Sequence, residues 1–186
     1  IDNIDHVIQA FAAAATRAQK AGFDGIQLHA AHGYLLSQFL SPFYNHRQDK
    51  YGGTLENRMR IIEEIILSIQ TNTSSEFPIF IKINSEDFLD NGFTTDEMIA
   101  VVKKMEKLGI VAVELSGGTG HSKTKFSPVR RTRIKSESDE GFFINAARRL
   151  KSVSEIPVIL VGGIKTQVLA EKLINNGVAD CISFCR

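Results

Sequence analysis

Residues 21–28 read Ala21-Gly22-Phe23-Asp24-Gly25-Ile26-Gln27-Leu28, and two later stretches repeat the pattern. Leu108-Gly109-Ile110-Val111-Ala112-Val113-Glu114-Leu115 is one, and Asn176-Gly177-Val178-Ala179-Asp180-Cys181-Ile182-Ser183-Phe184 is the other. Each reads as the end of a helix, a glycine free to take positive φ, a short turn and a strand. The intervals between the three glycines are each long enough for two βα units. The additional strands this demands are present. Phe77-Pro78-Ile79-Phe80-Ile81-Lys82-Ile83 and Ile156-Pro157-Val158-Ile159-Leu160-Val161 are short β-branched runs with proline at the start.

Helical patterns lie between these strands. Val7, Phe11, Ala14, Ala18 and Ala21 share one face of a first helix, and Ile62, Ile65, Ile66 and Ile69 form the stripe of a second, with Thr54 as N-cap. Thr94 and Glu97 form a capping box for a third, which carries Met98, Val102 and Met105. Phe142, Phe143, Ala146, Leu150 and Val153 mark a fourth, and Val168 to Ile174 the core of a fifth. The order α-βα-βα-βα-βα-β predicts an α/β fold with a parallel sheet of five strands.

Strand faces decide between an open doubly wound sheet and a barrel. Ile26 and Leu28 alternate with Gln27 and His29; Ile79, Ile81 and Ile83 alternate with Phe80, Lys82 and Asn84. Val111, Val113 and Leu115 alternate with Ala112, Glu114 and Ser116; Ile182 and Phe184 alternate with Cys181, Ser183 and Cys185. An open sheet covered by helices on both sides needs two apolar faces. Four of these five strands have one aliphatic and one mixed or polar face, which predicts a TIM-type (β/α)8 barrel with a lined interior.

Composition narrows the function. The 186 residues are 43% apolar and 23% charged, with a formal net charge of +1, which excludes a disordered chain and argues against a dedicated nucleic-acid or membrane-surface binder. The longest strictly apolar run, Ala10 to Ala15, is far short of the roughly 20 residues of a membrane span. Residues 1–5 show neither the basic start nor the apolar core of a signal peptide. Two cysteines, Cys181 and Cys185, make no disulfide framework, so a reducing cytoplasm is expected, with both thiols read as small core residues rather than redox groups.

In a (β/α) barrel, chemistry gathers after the C-terminal ends of the strands. The first such loop, His29-Ala30-Ala31-His32-Gly33-Tyr34-Leu35-Leu36-Ser37-Gln38-Phe39-Leu40-Ser41-Pro42, carries two imidazoles three residues apart. Neutral imidazoles each donate one N–H, so the pair could hold a carbonyl oxygen or an oxyanion. Tyr34 could deliver a proton. One histidine could equally be a structural residue, and a metal site lacks a third ligand of matching spacing. Lys123, Lys125, Arg130, Arg131, Arg133 and Lys135 form a run without acids, read as a solvated loop or as a contact for NAD(P)H or an acidic substrate.

The run from His29 to Arg60 resembles the Old Yellow Enzyme family of FMN-dependent NADH:flavin oxidoreductases. The matching words are residues 29–42, then Asn45-His46-Arg47-Gln48-Asp49-Lys50-Tyr51-Gly52-Gly53, then Glu56-Asn57-Arg58. A weaker likeness continues through Phe80-Ile81-Lys82-Ile83-Asn84, Ser116-Gly117-Gly118, Val161-Gly162-Gly163 and Phe184-Cys185-Arg186. The resemblance implies a (β/α)8 barrel in which these segments are strands four to eight, so that residues 1–186 form a partial FMN-binding barrel domain.

It also implies site roles. His29 and His32 would bind the carbonyl oxygen of an α,β-unsaturated substrate, and Tyr34 would protonate the carbon α to it after hydride reaches the β carbon from the flavin. The backbone at Gly162 and Gly163, with Cys185 and Arg186 beside them, would hold the FMN phosphate. Asn45 to Gly53 and Arg58 would clamp the loop onto the following helix. Lys82 stands where the family usually places an arginine against the flavin; an ammonium supplies the charge without the two-pronged geometry. Its other reading is an interior ion pair with Glu114 on the next strand. Cys185 stands where the family commonly has glycine.

The function expected is therefore transfer of hydride from NAD(P)H through FMN to an activated small-molecule alkene. Two other readings compete: a non-flavin, phosphate-binding barrel enzyme that uses Lys82, and a catalytically incomplete portion of a barrel. A barrel of this type typically needs about 250 residues and eight strands. Five strands leave two open edges, so the chain is expected to be part of a larger flavoenzyme, or to associate with its missing half or with a second copy.

Overall fold

The computed structural model describes residues 2–123, 127–128, 134–136 and 139–184. Among them the order is α1 (Asp2–Lys20), β1 (Ile26–Ala30), α2 (Leu35–Leu40), α3 (Leu55–Asn72), β2 (Ile79–Asn84), α4 (Thr95–Lys107), β3 (Ala112–Ser116), α5 (Ile144–Lys151), β4 (Val158–Val161), α6 (Gln167–Asn175) and β5 (Cys181–Ser183). The five strands are all parallel and lie side by side in chain order, β1-β2-β3-β4-β5. A doubly wound sheet reverses its strand order at a switch point; this one does not. With right-handed crossovers an unreversed order puts every helix on one face. The helices pack accordingly, α1 on α3, α3 on α4 and α4 on α5. This is the singly wound arrangement of a (β/α) barrel, as the strand faces predict.

The outward face of the sheet and the helices share one core. Leu28, Ile79, Ile81, Ile83, Val113, Leu115, Val158 and Leu160 are buried against Ile62, Ile65, Ile66 and Ile69 of α3, Met98, Val102 and Met105 of α4, and Leu150 of α5. The caps read from the sequence form. Thr54 Oγ1 accepts from the Asn57 N–H, and Thr94 and Glu97 make a complete capping box. The opposite face carries a row in register, His29, Lys82, Glu114, Ile159 and Cys181.

Several expectations are corrected. The buried face of α1 is Ile4, Ile8, Ala12 and Ala15, rotated from the predicted one; with alanine on nearly every side, the isoleucines set the face. Residues 35–40 form a helix inside the stretch read as a loop. Phe142 and Phe143 precede α5 rather than lie within it, and Val153 follows it. Val111 lies before β3 and Phe184 after β5, and both are exposed. Cys181, expected in the core, is exposed because it sits on the inner face of the bordering strand.

The clamp implied for residues 45–58 forms. Asn45 Nδ2 donates to the carbonyls of Phe39 and Tyr51, closing the loop on itself. The Arg58 guanidinium, 4% exposed, donates to the carbonyls of Leu40 and Gly53 and to Glu97. The last carbonyl of α2, one loop carbonyl and one helix carboxylate are thereby satisfied by one buried cation, which fixes the exit of α2 against α3 and α4.

Candidate active site

β1 delivers His29 onto the inner face beside Lys82 of β2, its register partner. Lys82 Nζ lies 2.9 Å from Glu114 Oε1 on β3, and Gln27 Nε2 donates to Glu114 Oε2 at 3.0 Å. The interior ion pair read for Lys82 is therefore present. Of the basic run 123–135, only Lys123 and Lys135 are described, and both are exposed; Lys125, Arg130, Arg131 and Arg133 lie outside the described residues.

Beyond β1 the chain turns through a left-handed residue, His32, with φ of 65°. Non-glycine residues seldom take this conformation, histidine more readily than most. Its N–H donates to Asn84 Oδ1 at 3.0 Å. Asn84 is fully buried and held in turn, its amide donating to Asp87 Oδ1 at 2.8 Å and to the Gly118 carbonyl at 3.1 Å. The second Asp87 oxygen accepts from the Phe93 N–H. A buried, satisfied polar network thus fixes the one strained turn of the loop.

The turn brings the predicted residues together. The His29 and His32 rings meet edge-on, centroids 5.2 Å apart, and the His29 and Tyr34 rings lie 5.1 Å apart. Tyr34 is the N-cap of α2 but makes no side-chain cap bond, and its side chain stands exposed. Burial, with help from the Lys82 cation, lowers the pKa of both imidazoles; His32 falls to about 4 by burial, then by the neighbouring His29 and Lys82. At pH 7 each ring is neutral and carries one N–H, the protonation state a carbonyl-polarising donor needs.

Gly162 and Gly163 follow β4 at positive φ, 111° and 71°. A Cβ at either would run into a phenyl ring, Phe143 at Gly162 and Phe142 at Gly163. Ring packing and positive φ both call for glycine at these two positions. Cys185 and Arg186 lie outside the described residues.

Sequence reading missed Ser116, Asn84 and Asp87 as parts of the site. Ser116 Oγ lies 2.7 Å from His32 Nε2. Asn84 and Ser116 are register partners at the C-terminal ends of β2 and β3, on the polar face that carries His29. Their shared face and strand end were the available signal.

Comparisons with known proteins place the chain in a family. The model of the NADH:flavin oxidoreductase / NADH oxidase family matches residues 1–186, and the chain belongs to that family. It is 40% identical to the NADH oxidase of Thermoanaerobacter brockii, covering all of this chain and 28% of that protein. Among solved structures, a 2-naphthoyl-CoA reductase in complex with 2-naphthoyl-CoA superposes with a TM-score of 0.87 at 28% identity, over 98% of this chain and 27% of that one. An old yellow enzyme homologue from Zymomonas mobilis superposes at 0.76 and 26% identity, over 99% and 48%. The chain thus spans between about a quarter and a half of the length of these relatives. The family is one of FMN-dependent oxidoreductases with NAD(P)H as reductant, and the resemblance carried by residues 29–60 is borne out.

The described donor set fits a flavin. The inner face offers a cation, Lys82, suited to a flat ring edged with acceptor atoms that gains negative charge on reduction.

Proposed function

We propose that the protein containing this chain reduces the carbon–carbon double bond of an α,β-unsaturated carbonyl compound. The observation that carries the reading is the convergence of His29, His32 and Tyr34, with both imidazoles neutral. FMN, when bound, supplies the hydride that reaches the β carbon. Lys82 and the backbone at Gly162 and Gly163 would hold it, with Arg186 at the phosphate.

The chain's own residues do the rest. His29 and His32 donate to the substrate's carbonyl oxygen, where negative charge develops as the β carbon accepts hydride. Fixed donors stabilise that charge without reorganising, and the buried hold on the His32 backbone keeps one of them in place. Tyr34 then gives its hydroxyl proton to the α carbon and recovers one from water, to which it is open. A relative bound to 2-naphthoyl-CoA supports a conjugated carbonyl as the substrate class.

The test separates the two half-reactions. Tyr34→Phe is expected to slow alkene reduction by about 10²-fold or more while NAD(P)H still reduces the flavin at the parent rate. Equal loss of both half-reactions would remove Tyr34 from the proton-donor role. A purified protein that stays colourless after incubation with FMN would remove the flavin reading altogether.

A further inference from the structure

His32 is neutral at pH 7, so its ring carries one proton and one lone pair. Which nitrogen holds the proton decides whether the ring gives or takes a hydrogen bond at its open side. Nε2 is already engaged, 2.7 Å from Ser116 Oγ. Nδ1 is therefore the nitrogen left for a ligand. Ser116 is buried, anchored as the last residue of β3, and its hydroxyl makes no second recorded bond among the described residues. A hydroxyl can play either part toward the imidazole. As an acceptor it would leave Nδ1 a bare lone pair, which repels a carbonyl oxygen. As a donor it places the proton on Nδ1.

We infer that Ser116 is a positioning residue that sets the tautomer of His32, its hydroxyl donating to Nε2 and leaving an N–H on Nδ1 directed at the ligand. The inference rests on the reading of His32 as a donor to substrate oxygen, and it sharpens the substrate class. A site whose open nitrogen carries hydrogen takes groups with acceptor oxygens, such as ketones, aldehydes, thioesters and phenolates. It discriminates against ammonium groups, which carry hydrogens and no lone pair to accept with. The geometry also separates two tasks on one ring. Asn84 fixes the backbone of His32, and Ser116 fixes the proton.

The tautomer can be observed directly. In the full chain labelled with 15N-histidine, with and without FMN, long-range 1H–15N correlations distinguish a protonated from an unprotonated ring nitrogen, and His32→Asn assigns the signals. Wild type is expected to show protonated Nδ1 and unprotonated Nε2 at pH 7.5. Ser116→Ala is expected to move the proton toward Nε2 and to weaken binding of 4-hydroxybenzaldehyde, the probe ligand, about tenfold, the size of one hydrogen bond. Ser116→Thr, which keeps the hydroxyl, is expected to restore both.

A wild-type ring protonated at Nε2 overturns the proposal without any variant having to fold. An unchanged tautomer in Ser116→Ala overturns it equally. If the tautomer behaves as stated but His32→Asn leaves the affinity for 4-hydroxybenzaldehyde unchanged, the role of Ser116 stands and the oxyanion reading of His32 fails.

Discussion

Lys82 and Glu114 are register partners on β2 and β3, and their charged atoms meet at 2.9 Å on the inner face of the sheet. Neither side chain is free in water, with 22% and 11% of their surfaces exposed. Glu114 has no spare oxygen, since Gln27 takes the second. Where the family resemblance leads one to expect an arginine, this chain uses a shorter-reaching cation whose position is fixed by its anion. Removing that anion leaves a half-buried ammonium uncompensated. Glu114→Gln is expected to destabilise the fold by about 1–3 kcal/mol, below the full cost of breaking a buried pair because Lys82 keeps some access to water. In the Lys82→Met background the same substitution should cost much less, as read by urea unfolding of both series. Equal costs in the two backgrounds would show that the pair is not coupled.

The histidines give the site a pH signature. His32 titrates at about 4 in the folded protein against 6.5 for the unconstrained side chain, and His29 is shifted in the same direction. Between those values the unfolded chain binds more protons than the folded one, so stability rises with pH across that window. The contribution is fully present above about pH 6.5 and is lost progressively as pH falls toward 4. His32→Asn keeps a residue that tolerates left-handed backbone but cannot titrate. Its stability is expected to fall less steeply than the wild type's between pH 6.5 and 4, measured by urea midpoints. Parallel curves would mean that His32 keeps an ordinary pKa.

Much of this was legible in the sequence, for definite physical reasons. The strand faces were readable because a period of two survives wherever helices cover one side only, as at Ile79, Ile81 and Ile83 against Phe80 and Lys82. His29, His32 and Tyr34 could be grouped because they sit within six residues. The face of α1 could not, since its run of alanines satisfies several stripes equally. The helix at 35–40 is too short to show a period. Ser116 and His32 are 84 residues apart, and only the pairing of β1 with β2 and of β2 with β3 brings them within 2.7 Å. A hydroxyl in such a place has no local pattern. It becomes visible only once strand register is known.

Asp87 is the anchor of the loop that holds His32, and it works as a carboxylate. One oxygen accepts from Asn84 Nδ2 and the other from the Phe93 N–H, with no exposure to water. Asp87→Asn is nearly isosteric, yet either orientation of the new amide turns its NH2 toward a donor. One hydrogen bond is lost and two donors face each other in a dry site. The expected cost is about 1.5–3 kcal/mol in urea unfolding. Affinity for phenolic ligands should weaken with it, because Asn84 then loses its hold on the His32 backbone. A change below about 0.5 kcal/mol, the size of an ordinary surface substitution, would show that the two acceptor contacts are not made.

Phe143 is wedged between the glycines that follow β3 and β4. A Cβ at Gly117 would stand 2.5 Å from its Cε1, and a Cβ at Gly162 would stand 2.5 Å from its Cε2. Gly162 also has φ of 111°, a conformation that side chains other than glycine rarely adopt. Gly162→Ala therefore meets two separate obstacles, a ring and a backbone. The expected total is about 2–6 kcal/mol, from strain of about 1–3 for the backbone and overpacking of similar size. Phe143→Leu removes the ring edge without touching φ. In that background Gly162→Ala is expected to cost only the backbone component, about 1–3 kcal/mol. A double-mutant cycle by urea unfolding measures the difference. An identical cost with and without the ring would assign the whole need for glycine to backbone conformation. The close approach of Phe143 would then be incidental to why the position is glycine.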